Sequence, residues 1–332
     1  MRRVLVATLG ALLPVALAFA AATGYHIIGE IKVGGEGGWD YLTVDSAARR
    51  LYVSHATHVV VVDLDANKVV GDIPDTPGVH GIAIVPELNR GFISNGRGNT
   101  VTIFDLKTLK ATGTAATGEN PDSIRYDSVS GRVFTFNGRS KNSTAIDAKS
   151  GNVASTIALP GKPEFSVADG KGKIYVNIED TNEIVEIDTA KATVTKKYAL
   201  TGCDGPSGLA IDVKNRRLFS VCSNRVMAIS DPDAGNVLAT PAIGAGSDGA
   251  AFDPGTGYAF SSNGDGTMTV VAQNGGKWDV LENIATERGA RTIAVDEKTH
   301  KVYSPTAKTA PAQGGGRATF IPDTFKVLVI GK

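Results

Sequence analysis

Leu42-Thr43-Val44-Asp45 returns along the chain as Ile124-Arg125-Tyr126-Asp127, Ser166-Val167-Ala168-Asp169, Leu209-Ala210-Ile211-Asp212, Ala250-Ala251-Phe252-Asp253 and Ile293-Ala294-Val295-Asp296, and Ile82-Ala83-Ile84-Val85 fills the same slot without its aspartate. The period is about 40 to 43 residues, the length of a unit of four short strands. A polar turn follows each segment, and then a second strand with an aromatic residue in register: Tyr52, Phe92, Phe134, Tyr175, Phe219, Phe260 and Tyr303. A third strand follows, as in Val59-Val60-Val61-Val62-Asp63, and a fourth, as in Lys68-Val69-Val70-Gly71-Asp72-Ile73, precedes a Gly-rich link. Short β-branched runs broken by Gly, Asn, Asp and Pro suit an antiparallel meander, because each run must alternate faces and then reverse quickly.

Seven such units predict an all-β, seven-bladed β-propeller of four-stranded antiparallel blades occupying residues 23–332. The last repeat stops after three strands, whereas His26-Ile27-Ile28-Gly29-Glu30-Ile31-Lys32-Val33 has fourth-strand character and precedes the first full repeat. The N-terminal strand is therefore expected to complete the last blade and remove its exposed edges. Residues 305–323 are longer than the matching connection in any other repeat and include Gly314-Gly315-Gly316. They read either as a mobile lid or as a surface loop.

The first residues read as an export signal over 1–22, with Arg2 and Arg3 before an apolar run and Ala-rich cleavage sites after it. The run contains Pro14 and is shorter than the ~20 residues that a spanning helix needs, so cleavage is expected over a retained anchor. Export places the protein in the periplasm or outside the cell, as a monomer. The chain has 34 basic and 34 acidic residues, and losing Arg2 and Arg3 leaves about −2, which gives phosphate neutralisation on a nucleic acid no support. Cys203 and Cys222 are the sole cysteines, an even pair suited to one disulfide in an oxidising compartment, with two reactive thiols as the alternative.

The pattern Arg50-Leu51-Tyr52-Val53 through Val62-Asp63-Leu64-Asp65-Ala66-Asn67-Lys68-Val69-Val70, with its later echoes, resembles the YVTN-type repeat of YncE-like seven-bladed propellers across nearly all of the mature chain. The resemblance implies an exported propeller and, more distantly, kinship with propeller lactonases. The Gly-His and Trp-Asp signature of WD40 repeats is missing, although Trp39-Asp40 mimics half of it.

In a propeller, the loop before the innermost strand opens at the central channel, where binding sites are expected. Five residues before the aspartate column stand Asp40, His80, Asp122, Glu164, Ser207, Asp248 and Arg291. Structural columns repeat one residue type, whereas this one varies its ionisable groups around the ring. It either solvates the channel mouth or forms an asymmetric site. Three residues after the aromatic stand His55, Asn95, Asn137, Ile178, Cys222, Asn263 and Thr306. Asn95, Asn137 and Asn263 each precede glycine, so they read as turn residues or as oxygen ligands. The expected ligand site is Asp40, His55, His80, Asp122, Glu164, Asp248 and Arg291. A divalent cation such as calcium is expected on Glu164, Asp122 and Asn137 if one is bound at all.

Walker, GxSxG and HExxH motifs are absent. The leading expectation is a binding or interaction module that holds a small molecule or an envelope protein at the channel mouth. The alternative is a metal-dependent, lactonase-type hydrolase with His80, Asp248 or Arg291 as catalytic candidates.

Overall fold

The computed structural model describes residues 22–311 and 319–332; the export segment expected at 1–22 lies outside these residues save for its last position. Seven four-stranded antiparallel sheets form the blades of a propeller. Their innermost strands are Leu42–Asp45, Val79–Val85, Pro121–Asp127, Pro163–Ala168, Pro206–Asp212, Ser247–Asp253 and Ala294–Asp296, in blades 1 to 7. Among the described residues no helix is long and apolar enough to cross a membrane.

Blade 7 is made from both ends of the chain, as the sequence predicts. Its order from the channel outward is Ala294–Asp296, Lys301–Thr306, Lys326–Gly331 and His26–Lys32. The N-terminal strand runs antiparallel to its neighbour from His26 opposite Gly331 to Lys32 opposite Lys326, with one bulge between Ile27 and Gly29. Backbone hydrogen bonds thus shut the ring, and neither end of the chain leaves an edge inside it.

Packing follows from the period of two within each strand. The seven aromatic residues in register are each at most 1 % exposed, because they lie in the seams between blades. Tyr52 of blade 1 faces Phe104 of blade 2 at 5.9 Å, and Phe219 of blade 5 stacks on Phe252 of blade 6 at 5.3 Å. One apolar cluster joins blade 1 to blade 2 and another joins blade 1 to blade 7, so blade 1 has a seam on each side and the ring is closed. The recurrent aspartates accept hydrogen bonds from turn amides, as Asp45 does from Ala48 at 2.8 Å and Asp127 from Ser130 at 2.8 Å. Some also hold the next blade: Arg49 of blade 1 donates to the fully buried Asp296 of blade 7 at 2.6 Å. Blade 2 lacks the aspartate, and a 3₁₀ turn over Pro86–Leu88 reverses its chain instead.

The insertion in blade 7 contains structure of its own, although residues 312–318 lie outside the described residues. Thr309–Ala310 pairs with Thr319–Phe320, and the Phe320 ring rests 4.9 Å from that of Trp39. Cys203 and Cys222 form a disulfide with their Cα atoms 5.4 Å apart. It ties the link entering blade 5 to the end of that blade's second strand and fits an oxidising compartment outside the cytoplasm.

Removing residues 25–35 should abolish the cooperative thermal transition, because blade 7 loses its outer strand. The milder Ile31→Ala, at a position 1 % exposed, is expected to cost about 2–4 kcal/mol in urea unfolding. Replacing both cysteines by serine is expected to cost about 2–4 kcal/mol in the same assay, and reductant should then have no further effect.

Candidate functional site

The column of unlike ionisable residues assembles. Its members stand at or just before the start of the innermost strands, and there the ladder to the second strand breaks register between Val79 and Ile82, Pro121 and Ile124, Pro163 and Ser166, and Pro206 and Leu209. Such irregularities re-aim side chains, and here they affect His80, Asp122, Glu164 and Ser207. Polar side chains two residues after the aromatic fix the next blade's rim: Ser94 donates to the Asp122 carbonyl at 2.5 Å, Asn177 to that of Ser207 at 2.8 Å, and Ser262 to that of Arg291 at 2.6 Å.

Asp40, His80 and Asp122 come from blades 1, 2 and 3. His80 Nδ1 lies 2.5 Å from Asp40 Oδ2 and 3.6 Å from Asp122 Oδ1. Asp122 is 9 % exposed, and its Oδ1 has no hydrogen-bond partner. On blade 4, Glu164 takes Lys162 Nζ at 2.6 Å, and the same ammonium also holds Glu179. Asp248 and Arg291 pair at 3.4 Å across blades 6 and 7, and Arg291 also donates to the Trp39 carbonyl at 3.2 Å.

Burial is the largest influence on these acids. It pushes the Asp122 carboxyl up to about 7, Asp40 and Asp248 adding to the effect and His80 opposing it. Glu164 rises to about 8 through burial and Asp122 against Lys162, and Asp248 to about 6 through burial and Asp40 against Arg291. Burial alone would lower His80, but its hydrogen bond to Asp40 and the charge of Asp122 carry it up to about 9. The mouth is a desolvated pool of carboxyl groups with too few cations to balance it.

Two expected members lie elsewhere. His55 is 1 % exposed, stacks on Phe325 of blade 7 at 4.3 Å and shares a hydrogen bond with His58 at 3.3 Å. Burial and the neighbouring His58 push its imidazole down to about 4. Asn137 is fully buried and bolts its own hairpin: Nδ2 donates to Asn142 at 2.7 Å and Thr144 at 2.9 Å, while Oδ1 accepts from Thr135 at 3.0 Å. Asn95 and Asn263 make the matching contacts in blades 2 and 6. This column faces a hairpin rather than the channel, so the oxygen set Glu164, Asp122 and Asn137 does not form.

The sequence reading overlooked the column one residue after the rim: Tyr41, Gly81, Ser123, Phe165, Gly208, Gly249 and Thr292. It is small at five positions, and at Gly208 a Cβ would stand 2.7 Å from the backbone of blade 6. The two aromatics are the exceptions. Tyr41 and Phe165 come from blades 1 and 4, on opposite sides of the ring, and their rings meet edge to face at 4.7 Å. They bridge the channel beneath the acids. Burial, with Asp122, Asp40, Glu164 and Asp248 around it, keeps the Tyr41 hydroxyl protonated.

No family model matches the sequence, and no curated protein does. Solved structures do. A chain of the Kuenenia stuttgartiensis hydrazine synthase is similar with a TM-score of 0.71 at 14% identity, over 81% of this chain and 92% of that one. The U3-55K structure gives 0.74 at 9% identity, over 91% and 98%. The RRP9 WD40 repeats give 0.74 at 9%, over 94% and 99%. At such identities the likeness is one of fold, and it supports the seven-bladed propeller.

In metal-free buffer, stability should fall as pH rises. The folded carboxyls stand above their ordinary values of 3.8 and 4.5, so their contribution is full below about pH 4 and is lost on rising through about 6 to 8. That of His80 is full below 6.5 and is lost through about 9. Urea titrations at pH 5, 7 and 9 should show this slope, and Asp122→Asn should flatten it by on the order of 1 kcal/mol.

Proposed function

We propose that the chain is an exported, YncE-like binding propeller whose acidic channel mouth takes a positively charged guest. One observation carries this reading: the Asp122 carboxyl is nine-tenths buried, accepts no hydrogen bond through Oδ1, and faces His80 and Asp40. An unbalanced acid inside a protein is costly, and a cation relieves that cost. The disulfide and the YVTN-like repeats support export to the periplasm or beyond.

A divalent ion suits the mouth, since Asp40, His80 and Asp122 each offer a ligand atom and these atoms lie within 4.8 Å of one another. An imidazole nitrogen with two carboxylates favours manganese or zinc over the calcium that an all-oxygen set would prefer. A second reading, a hydrolase opening lactones, draws on the raised Glu164 and Asp122 carboxyls, either of which would protonate the departing alkoxide.

Protein stripped with EDTA should gain thermal stability from manganese or zinc, and Asp122→Asn should weaken binding by roughly tenfold or more. If neither a divalent ion nor a polyamine shifts the melting temperature, the cation reading fails. A lactone panel with Glu164→Gln tests the hydrolase reading, which is lost if wild type opens no ring or if the variant opens rings equally fast.

A further inference from the structure

Below the Tyr41–Phe165 bridge the channel widens into a cavity of about 260 Å³. Its walls are mixed, about half polar and half apolar, and Ile82, Ile124, Val167, Ile211 and Val295 supply aliphatic surface. One column of the innermost strands, two residues before the aspartates, contributes Thr43, Arg125, Val167, Ala251 and Ala294 to this lining, with Ala83 and Ala210 at the same position in blades 2 and 5. Arg125 is its one charged member, as anomalous here as the mixed acids are above.

The surroundings of Arg125 do not neutralise it. Its guanidinium donates through Nε and Nη2 to a single acceptor, the Ser166 carbonyl, at 3.1 and 2.7 Å, and lies 5.1 Å from the Phe165 ring. A guanidinium has five N–H donors, so most of them find no protein acceptor among the described residues. No carboxylate forms an ion pair with it there, and burial lowers its proton affinity. The other ionisable lining residues are Tyr41 and Glu297. Burial, with Asp253 and Asp296 nearby, raises the Glu297 carboxyl.

We propose that this lower cavity is a second ligand site, separate from the acidic mouth, and that it takes a monocarboxylate with an apolar tail. The carboxylate pairs with Arg125, for which a planar two-oxygen anion is the best-matched partner, and the tail lies along the aliphatic wall. Size sets the class. At ~30 Å³ per water the space equals about eight or nine waters, which suits a ligand of about ten non-hydrogen atoms. Inorganic phosphate would satisfy the guanidinium and leave the walls wet.

Calorimetry on the purified full chain with octanoate, octylammonium and inorganic phosphate tests the assignment. Octanoate should bind wild type, while octylammonium and phosphate should bind at least tenfold more weakly or not at all. Arg125→Met should weaken octanoate at least tenfold and Arg125→Lys by less. Arg291→Met, which alters the mouth, should leave octanoate binding unchanged. Should Arg125→Met fail to fold, the Lys variant and the contrast between octanoate and octylammonium decide. No binding of octanoate to wild type, equal binding of octylammonium, or equal octanoate affinity in the folded Met variant would overturn the proposal. None of these outcomes depends on whether the mouth binds a cation.

Discussion

The ladder between His26–Lys32 and Lys326–Gly331 is the interaction on which the rest depends. A ring of blades has no hydrophobic core of its own. Each blade buries one face on each neighbour, and an open ring would expose two such faces together with two sheet edges. Joining the chain ends within one sheet converts a linear series of contacts into a closed one. The buried Arg49–Asp296 pair and the cluster around Ile31, Tyr303 and Val327 act at the same junction, so backbone, charge and apolar burial all reinforce a single seam.

Closure is also what permits the cost paid at the rim. Acids as poorly solvated as Asp122 and Asp248 repel one another, and a flexible support would let them move apart. Here each hangs from an innermost strand whose carbonyls are pinned by the preceding blade, as Ser94 and Ser262 pin Asp122 and Arg291. The scaffold holds the electrostatic strain in place, and a binding propeller needs that kind of rigidity.

Repetition made the architecture legible, because the aspartate and aromatic columns keep one residue type for one structural reason. The rim was legible for the opposite reason: Asp40, His80, Asp122, Glu164, Asp248 and Arg291 differ from one another at a shared position. His55 and Asn137 misled because a column on the second strand faces a seam or a hairpin, and a period of two in side-chain direction separates them from the channel. Lys162 fell outside every column, so its bridge between Glu164 and Glu179 could be found only in three dimensions. Tyr41, Phe165 and Arg125 were within reach, since each is the large exception in a column of small residues, but reading them required knowing which columns face the axis.

The edge-to-face contact of Tyr41 and Phe165 lays two rings from opposite blades across the channel, and both also line the cavity that holds Arg125. A tilt of either ring is therefore felt by the acids at the mouth and by the cavity alike. Replacing both rings with small side chains would remove that bridge and leave Arg125 more open to the carboxyls overhead.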